Sequence, residues 1–256
     1  MKSVALHGER HATARNNPLA ACPHVANAPR LTRVDPASPN SAMGDLFSSY
    51  VLDGSHPCVM ARSMVNKKQV FLASYGELGA ADRCADVCHD LYEVLAASEA
   101  DSSLYSLVAV FPSQASHTEE AFERALWDQL NGMHQLDRHL FSWDSCVSQD
   151  PADPDFSFSV GATAWYVVGL HPGASRSSRQ FAVPTLIFNR HAQFTSLREQ
   201  GRYHQVRDRI RERDVQLQGS VNPMLKDHGD ASEAIQYSGR AVDTQWSCPF
   251  LQRQSS

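Results

Sequence analysis

The sequence predicts a single mixed α+β domain, with a central β-sheet flanked by helices and followed by a long irregular C-terminal segment. Three observations lead there. Short apolar runs of strand length, "QVFLASYG", "SLYSLVAVFP" and "PTLIFN", alternate with stretches of helical spacing. Strand–helix–strand units are too few for a doubly wound parallel sheet. After Asp214 both periodicities fade into polar, glycine-containing sequence that still carries Leu, Met, Tyr, Trp and Phe. Long irregular segments with aromatics are more often functional or tightly docked than free linker.

The elements follow in chain order. Residues 1–42 are poor in aromatics and rich in Ala, Asn, Pro and His, which predicts a mobile N-terminal arm; the domain proper is expected over 43–256 and begins at "AMGDLFSSYVL". "HPCVMARSM" reads as a turn around Pro57, ahead of the strand "QVFLASYG". From Ala80 to Ala97, Val87, Leu91, Val94 and Leu95 recur at helical intervals. "SLYSLVAVFP" is a buried strand stopped by Pro112. Ser116 and Glu119 form an S-x-x-E capping box, and Phe122, Leu126, Leu130 and Met133 continue a helix to about His139. "DPADPDF" breaks the chain, "FSFSVGATAWYVVGL" reads as one long buried strand, and "PTLIFN" as another. Ala192 to Arg213 reads as a charged helix whose arginines interleave with Glu199, Asp208 and Glu212.

Composition excludes several functions. A net charge of −5 argues against general nucleic-acid binding, which rests on neutralising phosphates. No run of eighteen apolar residues is present, and the first residues lack a signal-peptide core, so a cytoplasmic protein with no membrane partner is expected. Six cysteines spread over 256 residues suit reduced thiols. Cys84 and Cys88, followed by His89, lack a second pair to complete a zinc site, and read as small residues packing a helix face. Dinucleotide, P-loop, G-x-S-x-G, H-E-x-x-H and C-x-x-C motifs are all missing.

What remains is a pattern of histidines. In "VVGLHPGASRSSRQFAVPTLIFNRHAQF", His171 and His191 each follow an apolar run, at rigid strand ends that suit a metal or heme ligand. Arg176 and Arg179, just past the first, could pair with an anionic group such as a heme propionate. His134, on the apolar edge of its helix and one turn before Asp137, is a third candidate on the cofactor side. His56 and His228 read as turn residues, and Cys248 before Pro249 is a weak thiolate candidate. Each of these histidines has an ordinary structural alternative, as a loop residue or a satisfied core group. Composition and spacing alone stop at a soluble mixed domain with a candidate His-bound cofactor.

From about residue 56 to 250 the chain resembles the YqcI/YcgG family. The resemblance is carried by "HPCVMARS", "DPADPDFSFSVGATAWYVVGLHPGASRSSRQF", "PTLIFNRHAQFTSLREQGRY", "IRERDVQLQGSVNPMLKDHGDASEAIQYSGR" and "WSCPF". It implies a heme-dependent N-oxygenase with a non-covalent heme b, consistent with the lack of C-x-x-C-H. The implied reaction uses O2 or peroxide to hydroxylate a side-chain nitrogen of a basic amino acid. L-arginine to N-omega-hydroxy-L-arginine comes first, and lysine or another guanidino compound second. Such enzymes serve antibiotic and other natural-product pathways, that of D-cycloserine among them. Electrons would come from an external donor or reductase; a homodimer is left open. The resemblance raises His171 and His191 as iron ligands and keeps Arg176, Arg179 and His134 for the cofactor. On the substrate, Arg240 or Arg62 would fork the carboxylate, Glu233 and Asp227 would face the cationic end, and Asn222 and Ser220 would add neutral hydrogen bonds. Two rivals stand beside this reading: a heme-binding sensor or carrier without turnover, and a colourless hydrolase or binding module built on Cys58 or Cys248.

Overall fold

The computed structural model describes residues 31–37, 41–113, 118–225 and 230–250. Its centre is a six-stranded mixed sheet of order β1-β2-β3-β6-β5-β4. These are β1 (Thr32–Arg33), β2 (Val70–Ser74), β3 (Ser106–Val110), β4 (Phe158–Val160), β5 (Thr163–Leu170) and β6 (Thr185–Arg190). Only β2 and β3 run parallel. They are joined through helix α3 (Ala81–Asp101), as a parallel crossover requires. The rest of the sheet is antiparallel. Among the described residues the seven α-helices are completed by α1 (Ala42–Leu52), α2 (Val59–Asn66), α4 (Glu119–Asp137), α5 (Ala192–Glu199), α6 (Tyr203–Gln218) and α7 (Ala234–Tyr237). The chain is thus one α+β domain, and no described helix is long and apolar enough to cross a membrane.

The period-two alternation of the strands builds two cores. On one face Leu107, Ala109, Trp165, Val167, Leu186 and Phe188 pack beneath α3 and α4. On the other, Val108, Val110, Val168, Leu170 and Ile187 face α1 and α2. Covered on both sides, β3 is buried throughout, which is why "SLVAV" reads as a continuous apolar run. Cys84 and Cys88 lie buried where α3 meets α4, their thiols against the carbonyls of Gln129 and Met133. Among the described residues no group of three or more His, Cys, Asp or Glu side chains is gathered as for a metal ion.

Several elements differ from the sequence expectation. "FSFSVGATAWYVVGL" is two strands, not one: Gly161 and Ala162, at φ +65° and +53°, make a two-residue turn between Val160 and Thr163. Both central residues have positive φ, as this hairpin type requires, but Gly-Ala lacks the Asn-Gly or Asp-Gly signature that announces it. The charged helix from Ala192 is also two, broken at Gly201 (φ +65°), and its second part runs on to Gln218. Residues after Pro57 form α2, with Cys58 as its N-cap. Helix α4 is capped by Thr118, whose hydroxyl accepts the Ala121 N–H at 3.2 Å; Ser116 lies outside the described residues. Thr32–Arg33, within the stretch read as an arm, pairs with β2, and Val34 beside it is buried.

Candidate functional site

The α1/α2 side of the sheet is not filled. A cavity of about 300 Å³ lies between that face and helices α1, α2, α5 and α6. That size falls within the range of small-molecule sites. Its floor is Val108, Val168, Leu170 and Ile187, and Phe47, Met60 and Met64 close it from α1 and α2. The exposed lining is mostly apolar, and the polar side chains set into it include His56, Arg179, His191, Asp214, Asn222 and Glu233. Arg198, Arg207 and Arg211 line it from α5 and α6.

Strand parity decides which histidine reaches the cavity. On β6, Ile187 and Asn189 face it, so His191, two positions on, continues that side. On β5, Tyr166, Val168 and Leu170 face it, so His171 emerges on the opposite side. There it is buried, stacked on Phe122 of α4 with ring centroids 4.3 Å apart. His134 is likewise on the α4 side, edge-on to Trp143 at 5.3 Å, where burial and Arg138 hold its pKa down. The three histidines do not form one site.

His191 Nε2 stands 3.9 Å from Glu233 Oε2. The other oxygen of Glu233 accepts hydrogen bonds from Ser157 Oγ at 2.7 Å and Tyr237 Oη at 2.5 Å. Burial raises this carboxyl to about 7, against the lowering effect of those two hydroxyls. Asn222 is held by its backbone, donating to Asp214 Oδ2 at 2.8 Å. Arg179 donates to the carbonyls of Gly169 and Gln236 at 3.0 and 3.1 Å, tying β5 to α7. Cys58 Sγ accepts the Ala61 N–H at 3.4 Å, and burial raises its pKa, as it pushes Cys248 up to about 12. Burial thus disfavours the thiolate of both, which argues against a nucleophile built on either.

The remaining expected residues lie elsewhere. Arg176 donates to Asp214 Oδ2 at 2.7 Å and to the Ser220 hydroxyl and carbonyl, so Arg176 and Ser220 fasten the end of α6 rather than line the cavity. Arg62 caps α1 through the carbonyls of Leu52 and Asp53. Arg240 is bonded to Glu123 on α4 at 2.5 and 3.0 Å. Asp227 and His228 lie outside the described residues. His56, read from the sequence as a turn residue, does close a turn, its N–H bonded to the Asp53 carbonyl at 3.1 Å, and it also lies in the cavity wall, which only its place just before α2 could have signalled.

Set against known proteins, the sequence model of one family, described as the YqcI/YcgG family, matches residues 47–251. No curated protein and no solved structure matches.

Proposed function

Because this chain belongs to the YqcI/YcgG family, we propose that it is a heme-dependent N-hydroxylase of a basic amino acid, with L-arginine the first substrate and lysine or another guanidino compound the next. The observation that carries the reading is the apolar cavity with an imidazole and a buried carboxylate at one end, His191 and Glu233. The donor chemistry of these residues suits a non-covalent heme b, and the cavity of about 300 Å³ would have to widen to take heme and substrate together. The walls are apolar, the imidazole is a neutral iron donor, and arginines on α5 and α6 offer partners for propionates.

When bound, the heme supplies the oxygen chemistry, with O2 or peroxide as oxidant and an external donor for electrons. The chain's own residues do the rest. His191 would hold the iron. Glu233, expected from the sequence to face the substrate's cation, is proposed instead to orient His191; at 3.9 Å the two are not hydrogen-bonded, so the ring would have to close on the carboxyl to be fixed by it. Val108, Val168 and Ile187 exclude water and keep the substrate nitrogen close. Asn222 and Asp227 are retained as proposed polar contacts for the substrate.

The test is an absorption spectrum of protein supplied with heme, before and after dithionite, with and without arginine. A Soret band that moves on adding arginine, together with N-hydroxyarginine by mass spectrometry, is the expected result. His191→Ala should lose heme retention, while His171→Ala and His134→Ala keep it. A folded protein that takes up no heme would sink the proposal; a band without product would turn it toward a sensor or carrier.

A further inference from the structure

His56 stands at the corner of the cavity where the α1–α2 loop meets α6. It is 9 % exposed and lies edge-on to Tyr50, ring centroids 4.9 Å apart. Arg213 of α6 pins its backbone, donating to the carbonyls of Gly54 and His56 at 2.5 and 2.9 Å. The ring is oriented too, since Nδ1 accepts the Cys58 N–H at 3.3 Å. A neutral imidazole that accepts at Nδ1 carries its proton on Nε2. Neutrality follows from the surroundings: burial first, then the Arg62 and Arg213 guanidiniums, hold its pKa down to about 4. Among the described residues nothing is hydrogen-bonded to Nε2. His56 lines the cavity and Nε2 is not among the fully buried unpartnered atoms, so a ligand that displaces water there must supply an acceptor in its place.

The charge at this corner selects the class of acceptor. The guanidiniums of Arg62, Arg213 and Arg179 are all bonded to neutral backbone carbonyls. Their positive charge is therefore not cancelled by a carboxylate in those contacts. Two acids are near: Asp53, exposed and bonded to Ser55 but within the field of His56 and Arg62, and Asp214, paired with Arg176. Arg240, the carboxylate fork expected from the sequence, is occupied by Glu123.

We propose that this corner is a carboxylate-binding subsite, with the Nε2–H of His56 giving the directional hydrogen bond and Arg62, Arg179 and Arg213 the favourable field. It rests on the reading of the cavity as a site for heme and a basic amino acid, both of which bring carboxylates. The subsite turns the substrate's α-carboxylate, or a heme propionate, toward α2 and leaves the other end pointing along the sheet.

Binding is compared in wild type, His56→Gln, which keeps an N–H donor, and His56→Phe, which does not. One arm titrates arginine against agmatine, the same guanidinium without its carboxylate; the other titrates heme against heme dimethyl ester. Wild type should prefer the carboxylate partner in one arm by about 10- to 100-fold. His56→Phe should lose that preference while agmatine or ester binding stays unchanged, and His56→Gln should retain part of it. Loss in the arginine arm assigns the corner to substrate, and loss in the ester arm to a propionate. Preferences at wild-type strength in both variants would overturn the subsite. So would a changed iron electron-paramagnetic-resonance signal in His56→Gln, which would make His56 a ligand instead. The arginine arm is also run by calorimetry without heme. A wild type that binds no heme yet loses its preference for arginine on His56→Phe would sink the cofactor reading and leave the subsite standing.

Discussion

Single residues in this protein carry charge where burial opposes it, and Asp137 is the clearest case. Its Oδ1 accepts from Tyr92 Oη at 2.7 Å and from the Gly161 N–H at 2.8 Å, joining α3, α4 and the β4–β5 turn. Burial nonetheless raises it from 3.8 to about 6. A raised carboxyl favours the fold most when protonated, so this contribution is full below about pH 4 and is lost as pH rises through about 6. The side chain is buried, so the shift corresponds to about 3 kcal/mol. Asp137→Asn keeps the accepting oxygen and removes the titration. Urea unfolding at pH 4 and pH 8 should then differ by about 3 kcal/mol less than in wild type, and an identical difference would refute the assignment. At this scale the sequence was legible where parity could be counted. His191 and His171 follow strands, and alternation along those strands separates their faces once the inward residues are known. It was not legible for Arg62, Arg240 and Arg176, because their partners, the Leu52 carbonyl, Glu123 and Asp214, lie 10, 117 and 38 positions away.

At the scale of elements, close approach decides more than propensity does. Gly169 sits mid-strand in β5, where an added Cβ would come within 2.7 Å of Phe122 and 2.8 Å of the Tyr237 carbonyl. Backbone on one side and a fully buried ring on the other leave little room to relax. Gly169→Ala should therefore cost about 1–3 kcal/mol, read as a lowered urea midpoint with unchanged slope; a neutral result would mean that α4 and α7 can shift. Element type was readable in the strands and in α3 and α4, where apolar spacing is regular. The breaks were not. Gly161–Ala162 and Gly201 reverse or interrupt the chain through positive φ, a property that glycine permits without requiring.

Across the whole molecule, the cavity owes its roof to segments far apart in sequence. Helices α1 and α2 come from one end and α5, α6 and α7 from the other, and a few polar ties hold them together. One is the buried Arg176–Asp214 pair, 2.7 Å apart, fastening the end of α6 to the turn after β5. Removing the cation leaves a buried carboxylate uncompensated, so Arg176→Ala should destabilise the fold by about 3 kcal/mol. Hydrogen exchange should accelerate in α6 ahead of β3; equal acceleration in both would show that the tie serves the entire fold rather than the roof.

The tie between Arg213 and the Gly54 and His56 carbonyls has a different consequence. It is the seam along which the two ends of the chain meet over an otherwise unfilled space. A molecule held there would act as a clamp between early and late sequence, adding to the folded state a free energy set by its concentration relative to its dissociation constant, about 2.7 kcal/mol at a hundredfold excess. If the corner binds as proposed, ligand supply and resistance to unfolding are linked, and the chain would unfold most readily in a cell that has made it before making its ligand.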